Sequence, residues 1–239
     1  MTARRLGAFA LALLLAACNR PAPSVEATAQ PPASVATTPA DAPAVAPPAD
    51  ASSDALVLPG PFAADSTPDS LRRIFGAGNV RIGNVPGAEG ETSRGVILFP
   101  DDPGRRAYLY FQDESTLRGL SLVRVFDPES RWRMDDGIAI GTPLAELVRR
   151  NGKPITYSGL GWDYGGVAQD FGGGTLEANG NDPVRRSWRL GPKDDKDDPA
   201  DAYPIGEGSY RSDDPRYPRQ GDTVVVNELS VTFPGEDDL

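Results

Sequence analysis

The sequence predicts an α+β fold: an antiparallel β-sheet carrying two short helices, in one folded domain over residues 56–239. Three observations lead there. Apolar residues alternate with polar ones at the two-residue period of half-buried strands, between turn clusters such as Asp101-Asp102-Pro103-Gly104. Two helix starts stand out, Thr67-Pro68 and Thr142-Pro143, each a hydroxyl residue followed by proline. After each start a short helical face gives way to a glycine stop and an alternating strand, at an offset of 75 residues. Two tandem helix-plus-strands units are therefore an expectation, although the helix faces do not keep the register.

The elements follow in order. After Thr67-Pro68-Asp69, Leu71, Ile74 and Phe75 fall at i, i+3 and i+4, one face of a short helix that Gly76 and Gly78 stop. Val80 and Ile82 open a half-buried strand. Strand signals continue at Gly95–Phe99, Ala107–Gln112 and Leu120–Phe126. In the middle one Tyr108 and Tyr110 share a face opposite Leu109 and Phe111, so both faces are apolar and the strand belongs inside its sheet. The second helix has Leu144, Leu147 and Val148 as its face, with Arg149 and Arg150 in the last turn, where positive charge suits the helix dipole. Asn151-Gly152 and Pro154 end it, and Ile155 and Tyr157 begin the next strand. Ser187–Leu190 and Val224–Phe233 complete the strands, the last placing Leu229, Val231 and Phe233 on one face. Between them Gly191–Gly221 reads as a long acidic loop, of a length that is usually functional or disordered. Tyr203, Tyr210 and Tyr217 recur every seventh residue within it. The intervening prolines exclude a continuous helix, so these rings are expected to pin the loop to the sheet.

Upstream of residue 56 the chain is of another kind. Arg4 and Arg5 precede an apolar run, Leu6 to Leu15, which as a helix would span only about 15–18 Å against a hydrocarbon core of about 30 Å. Residues 1–17 read as a signal peptide. Leu15-Ala16-Ala17-Cys18 resembles the lipobox of bacterial lipoproteins. The resemblance implies cleavage before Cys18, with diacylglycerol on its sulfur and an acyl chain on its new amino terminus. It implies a membrane partner through that anchor, and Asn19, not being aspartate, implies the outer membrane. Several acyl chains at about 0.8 kcal/mol per buried methylene anchor stably where one would not. Asn19 to Ala55 then holds eight prolines and twelve alanines, with no aromatic residue, leucine or isoleucine. Such a segment cannot bury enough apolar surface to offset its ordering entropy, so residues 18–55 are expected to be a disordered tether.

Composition excludes several functions. Formal net charge is -10, which argues against nucleic acid as a partner and against a polybasic grip on lipid. The absence of histidine removes Ser-His and Cys-His catalysis and imidazole metal ligation. The single cysteine, Cys18, forms no intrachain disulfide. Only three lysines occur, and two of them, Lys193 and Lys196, lie in the acidic loop, so a buried Ser-Lys dyad is not expected. A carboxylate pair could still hydrolyse glycosidic bonds, but 34 acidic residues nominate no pair. No catalytic residue, metal site or cofactor is expected beyond the lipid on Cys18.

Gly161-Trp162-Asp163-Tyr164-Gly165-Gly166 is the most unusual hexapeptide. Read functionally, Trp162, Asp163 and Tyr164 form a rigid partner contact on a glycine-bounded loop. Read structurally, the glycines permit a bulge while Trp162 fills the core and Asp163 bonds a turn. Asp194, Asp195, Asp197, Asp198 and Asp201 could ligate Ca²⁺ through oxygen, but they lack the EF-hand pattern and read better as a solvated loop.

Gly141-Thr142-Pro143-Leu144-Ala145-Glu146-Leu147 followed by Gly152-Lys153-Pro154 resembles the helix-to-turn segment of two related groups. These are the small outer-membrane lipoproteins of the β-barrel assembly machinery and the β-lactamase-inhibitor proteins. Asp136 to Gly166 as a whole looks more like proteobacterial lipoproteins bearing a Gly-Trp-Asp-Tyr-Gly-Gly segment, a group without an established activity. The resemblance implies location and fold rather than mechanism. The resulting expectation is a lipid-anchored periplasmic protein that binds or scaffolds another envelope protein. A carboxylate-based envelope hydrolase and a Ca²⁺ or small-ligand carrier are the alternatives.

Overall fold

The alternating segments assemble into a six-stranded antiparallel sheet. A computed structural model of the protein describes residues 56–178, 182–193 and 202–234. The sheet is built from β2 (Val80–Pro86), β3 (Thr92–Leu98), β4 (Ala107–Asp113), β5 (Arg118–Val125), β9 (Arg185–Pro192) and β11 (Val224–Thr232). Its order is β2-β3-β4-β5-β11-β9. A second, three-stranded sheet has β7 (Thr156–Ser158) between β8 (Ala168–Asp170) and β10 (Ser209–Arg211). The short parallel pair β1 (Val57–Leu58) and β6 (Arg133–Met134) opens the fold. The α+β prediction holds: the sheets are mostly antiparallel, and the described helices are short.

Helix α1 (Pro68–Phe75) starts as its sequence requires. The Thr67 hydroxyl accepts from the Ser70 N–H, and the Ser70 hydroxyl accepts from the Thr67 N–H, a reciprocal cap that satisfies two otherwise orphaned donors. Leu71 and Phe75 are buried, but Ile74 is 48% exposed, so the buried stripe is narrower than the three-residue face predicted. Beneath the helix, Phe75 stacks on Phe62 at 5.8 Å and meets Phe99 edge-on at 5.7 Å. Trp132, fully buried, closes this cluster and donates its indole N–H to the Arg105 carbonyl at 2.7 Å.

Helix α2 (Leu144–Asn151) departs from expectation at its start. Thr142 does not cap it; its hydroxyl accepts from the Ala139 N–H at 3.1 Å, and Pro143 occupies the cap position without a side-chain bond. The turn before the helix uses the threonine first. The helix ends as predicted, with Gly152 in the left-handed region at φ 72°. Leu144 and Leu147 are buried and Val148 packs partly against the core. The side chain of buried Asn151 donates to the carbonyls of Lys153 and Phe171 and accepts from the Leu176 N–H, joining the helix end to the following loop.

The two tandem units do not appear as two sheets of like design. β2 forms an edge of the large sheet, whereas its counterpart by sequence offset, β7, is the centre of the small one. β9 and β11, from the second half, extend the sheet begun by the first. The described part of the expected loop is also more structured than its composition implies. Gly191 and Pro192 belong to β9, Tyr210 in β10 pairs with Tyr157 in β7, and a third helix, α3 (Gln220–Thr223), precedes β11. Tyr210 and Tyr217 meet edge-on at 5.9 Å, and Tyr203 packs partly buried against the core, so the loop tyrosines hold it as expected. The fully buried Tyr157 hydroxyl donates to the Gln220 side-chain carbonyl at 2.6 Å. Cys18, the tether and the acidic run Asp194–Asp201 lie outside the described residues.

Two strands change face partway along. In β11 the register shifts between Val226 and Glu228; Val224 and Val226 are fully buried before the shift, Leu229 and Val231 after it. The extra residue, Asn227, is accommodated because its partner strand carries Gly191, where a Cβ would lie 2.1 Å from the Asn227 amide nitrogen. The β4–β5 register likewise shifts between Tyr110 and Phe111, and the buried parity in β5 changes from Leu120 to Val123 and Val125. Both bulges keep the core face apolar while turning polar side chains outward.

Surface charge on α2 gives a pH prediction. Hydrogen bonds from Arg149 and Arg150 draw the Glu146 carboxyl from its ordinary 4.5 down to about 2. Because the folded-state value is depressed, the stabilisation is complete above about 4.5 and is lost as pH falls towards about 2. Urea midpoints across that window should fall less steeply for Glu146→Gln than for the native chain; parallel curves would remove the linkage.

Candidate functional site

The outward face of the large sheet holds the site. On β4 and β5, Tyr108, Tyr110, Leu122 and Arg124 alternate with buried Leu109, Phe111, Val123 and Val125. On β11 and β9, Glu228 and Ser230 alternate with Leu229 and Val231, and Arg189 lies between buried Trp188 and Leu190. Of these outward residues, Leu122, Arg124, Arg189, Glu228 and Ser230 floor an open groove with two adjoining lobes of about 830 and 510 Å³ that share Arg124, Arg189 and Glu228.

At the junction, Arg124 grips Glu228 through two hydrogen bonds, Nε to Oε1 at 2.9 Å and Nη2 to Oε2 at 2.7 Å. The pair is largely withdrawn from solvent, with side-chain exposures of 20% and 12%. The hydrogen bonds and charge of Glu228 raise the Arg124 pKa further, so its cation is permanent. The guanidinium also lies 5.3 Å from the Phe126 ring, which stacks on Tyr108 at 4.7 Å with the planes 4° apart. Burial pushes the Tyr110 hydroxyl pKa up, and that hydroxyl donates to the Pro86 carbonyl at 2.5 Å. Aromatic rings thus shield the ion pair and lock its geometry.

The Gly161–Gly166 loop walls the smaller lobe. Trp162 is 37% exposed and Tyr164 50%, so neither ring fills the core, and the structural reading of Trp162 is corrected. Asp163 is also exposed and lines the same lobe. The rings are fixed nevertheless. Trp162 donates its indole N–H to the Gly159 carbonyl at 2.8 Å, the rings meet at 5.5 Å and 61°, and the Tyr164 hydroxyl donates to Glu89 at 3.1 Å. Below them Ser158 ties the loop twice, donating to the Tyr164 carbonyl and accepting from the Val167 N–H. Gly166 makes the closest approach: its carbonyl accepts from the Leu190 N–H at 2.7 Å, and a Cβ there would sit 1.8 Å from the Leu190 oxygen. With φ at 77°, the position demands glycine on both counts.

The structure therefore brings Trp162, Asp163 and Tyr164 to one groove with Arg124, Arg189 and Glu228, which sequence reasoning did not single out. Their signal was the polar residue set among valines and leucines of predicted strands, and it acquires meaning only once β5 and β11 are paired. Among the described residues no cluster of carboxylates suited to a metal ion occurs. Comparison with family models, with curated proteins and with solved structures finds no match to this chain.

Two outcomes are expected. Glu228→Leu alone should destabilise the fold by about 1–3 kcal/mol by leaving the Arg124 cation desolvated and without its counter-charge, and more than the double variant Arg124→Leu/Glu228→Leu does. Chemical denaturation measures both, and a double variant less stable than the single would refute the account. Gly166→Ala should cost more than about 1 kcal/mol and lose hydrogen-exchange protection at the Leu190 amide; unchanged exchange there would show that the contact is not constraining.

Proposed function

We propose that the protein is a lipid-anchored periplasmic binding protein of the bacterial envelope, held at the outer membrane by Cys18 and engaging a partner protein through the groove beside Trp162 and Tyr164. The observation that carries the reading is the pair of partly exposed rings, held by hydrogen bonds at the wall of a groove. Large rigid rings whose polar ends are already engaged lose little entropy when they are covered, and such residues dominate binding energies at protein interfaces. The lipobox-like segment supports the anchor, and the net charge of -10 weighs against nucleic acid. The likeness of the Gly141–Pro154 segment to the assembly lipoproteins and the β-lactamase-inhibitor proteins points the same way, to action by contact. A carboxylate-based hydrolase draws less support: Glu228, the shared carboxylate of the two lobes, is occupied by Arg124.

The test is affinity recovery of the intact lipoprotein from gently solubilised membranes. One envelope protein should be recovered in stoichiometric amount with the native chain and lost with Trp162→Ala/Tyr164→Ala, whose melting temperature should stay close to native because both rings are exposed. Recovery unaffected by that variant would place the contact elsewhere. Cys18→Ala should move the protein to the membrane-free fraction, and palmitate labelling that survives the substitution would overturn the anchor.

A further inference from the structure

We propose that the groove receives an extended peptide segment of its partner carrying a single carboxylate, and that Arg189 is the residue that binds that carboxylate. This rests on the binding reading above and gives it a chemistry. Arg189 stands opposite Glu228 across the β9–β11 ladder, but both oxygens of Glu228 are taken by Arg124. Among the described residues, the Arg189 guanidinium makes no hydrogen bond and no ion pair, although the residue is half-buried. Other arginines without an ion pair, such as Arg73, Arg118, Arg185 and Arg219, are exposed, where water solvates them. A half-buried guanidinium has lost part of that water without replacing it, and its planar fork of donors matches the two oxygens of a carboxylate.

The rest of the groove selects what carries the carboxylate. In the larger lobe Phe126, Pro128, Ile140 and Val225 lie next to Lys193, which suits an apolar side chain beside a negative group. In the smaller lobe the Trp162 and Tyr164 rings stand near Glu89 and Asp163. With Glu228 neutralised by Arg124, those two acids oppose a polyanion, such as a phosphate-rich surface, while tolerating an isolated charge that lands on Arg189. A small inorganic anion would leave the apolar lobe and the aromatic wall unused. An extended chain advances about 3.4 Å per residue and sends successive side chains to opposite sides, so a few residues can place one carboxylate and its apolar neighbours in both lobes.

Selection of a random heptapeptide library on the immobilised full chain tests this. The recovered peptides should share one Asp or Glu flanked by apolar or aromatic residues. Replacing that acid by its amide should weaken binding at least tenfold, and Arg189→Gln should do the same with an unchanged melting temperature. Arg185→Gln, which removes an equal charge from an exposed position on the same strand, should leave affinity within twofold. Peptides without a shared acid, equal losses in the two arginine variants, or complete displacement of the selected peptide by millimolar inorganic phosphate would each overturn the assignment. Failure to recover any peptide, while the membrane partner is still captured in a Trp162-dependent way, would sink this inference and leave the binding function standing. Loss of Trp162-dependent capture as well would remove both.

Discussion

The structure depends on the pairing of β5 with β11. The Arg124–Glu228 bond that crosses it joins residues 104 positions apart, and through it the strands of the first half and the last strand become one sheet. The register sets Val125 against Leu229 and Val123 against Val231, four buried residues whose packing reinforces the ladder. Pairing of such distant segments must await closure of the intervening chain, so the domain cannot be divided into independent halves. This is why the sequence outline of two units does not survive as architecture: the edge that would close the first unit is taken by the second.

The groove floor and the core share the same strands because of two bulges. A regular strand assigns even positions to one face and odd positions to the other for its whole length. β11 instead buries Val224 and Val226 before Asn227, and Leu229 and Val231 after it, which turns Glu228 and Ser230 outward. β5 makes the corresponding change between Leu120 and Val123. The outward residues then meet across the ladder as a groove floor, while the inward ones stay apolar throughout. A bulge here re-aims side chains without sacrificing burial.

Rigidity at the groove wall has a local source. Ser158 bonds the Gly161–Gly166 loop at two points, Gly166 lies against the Leu190 backbone, and Glu89 holds the Tyr164 hydroxyl from the β2–β3 connection. Three separate segments thus converge on two aromatic rings. Rings fixed in this way have less conformational freedom left to lose if they are covered.

Local chemistry was legible in the sequence. The Thr67 cap before Pro68, the left-handed Gly152 stop, the alternation of β4 and the apolar face of Leu229, Val231 and Phe233 each depend on neighbours within a few residues. So did the oddity of the Gly161–Gly166 segment. Thr142 was misleading because a hydroxyl can serve the preceding turn or the following helix, and only the surrounding backbone chooses. The tertiary structure alone decided that Trp162 and Tyr164 face a groove, that Arg124 and Glu228 neutralise each other and that Arg189 has no bonding partner among the described residues. Those facts depend on strand register and on two bulges, where a shift of one residue exchanges the faces, and no pattern of neighbouring residues encodes which distant strand arrives alongside.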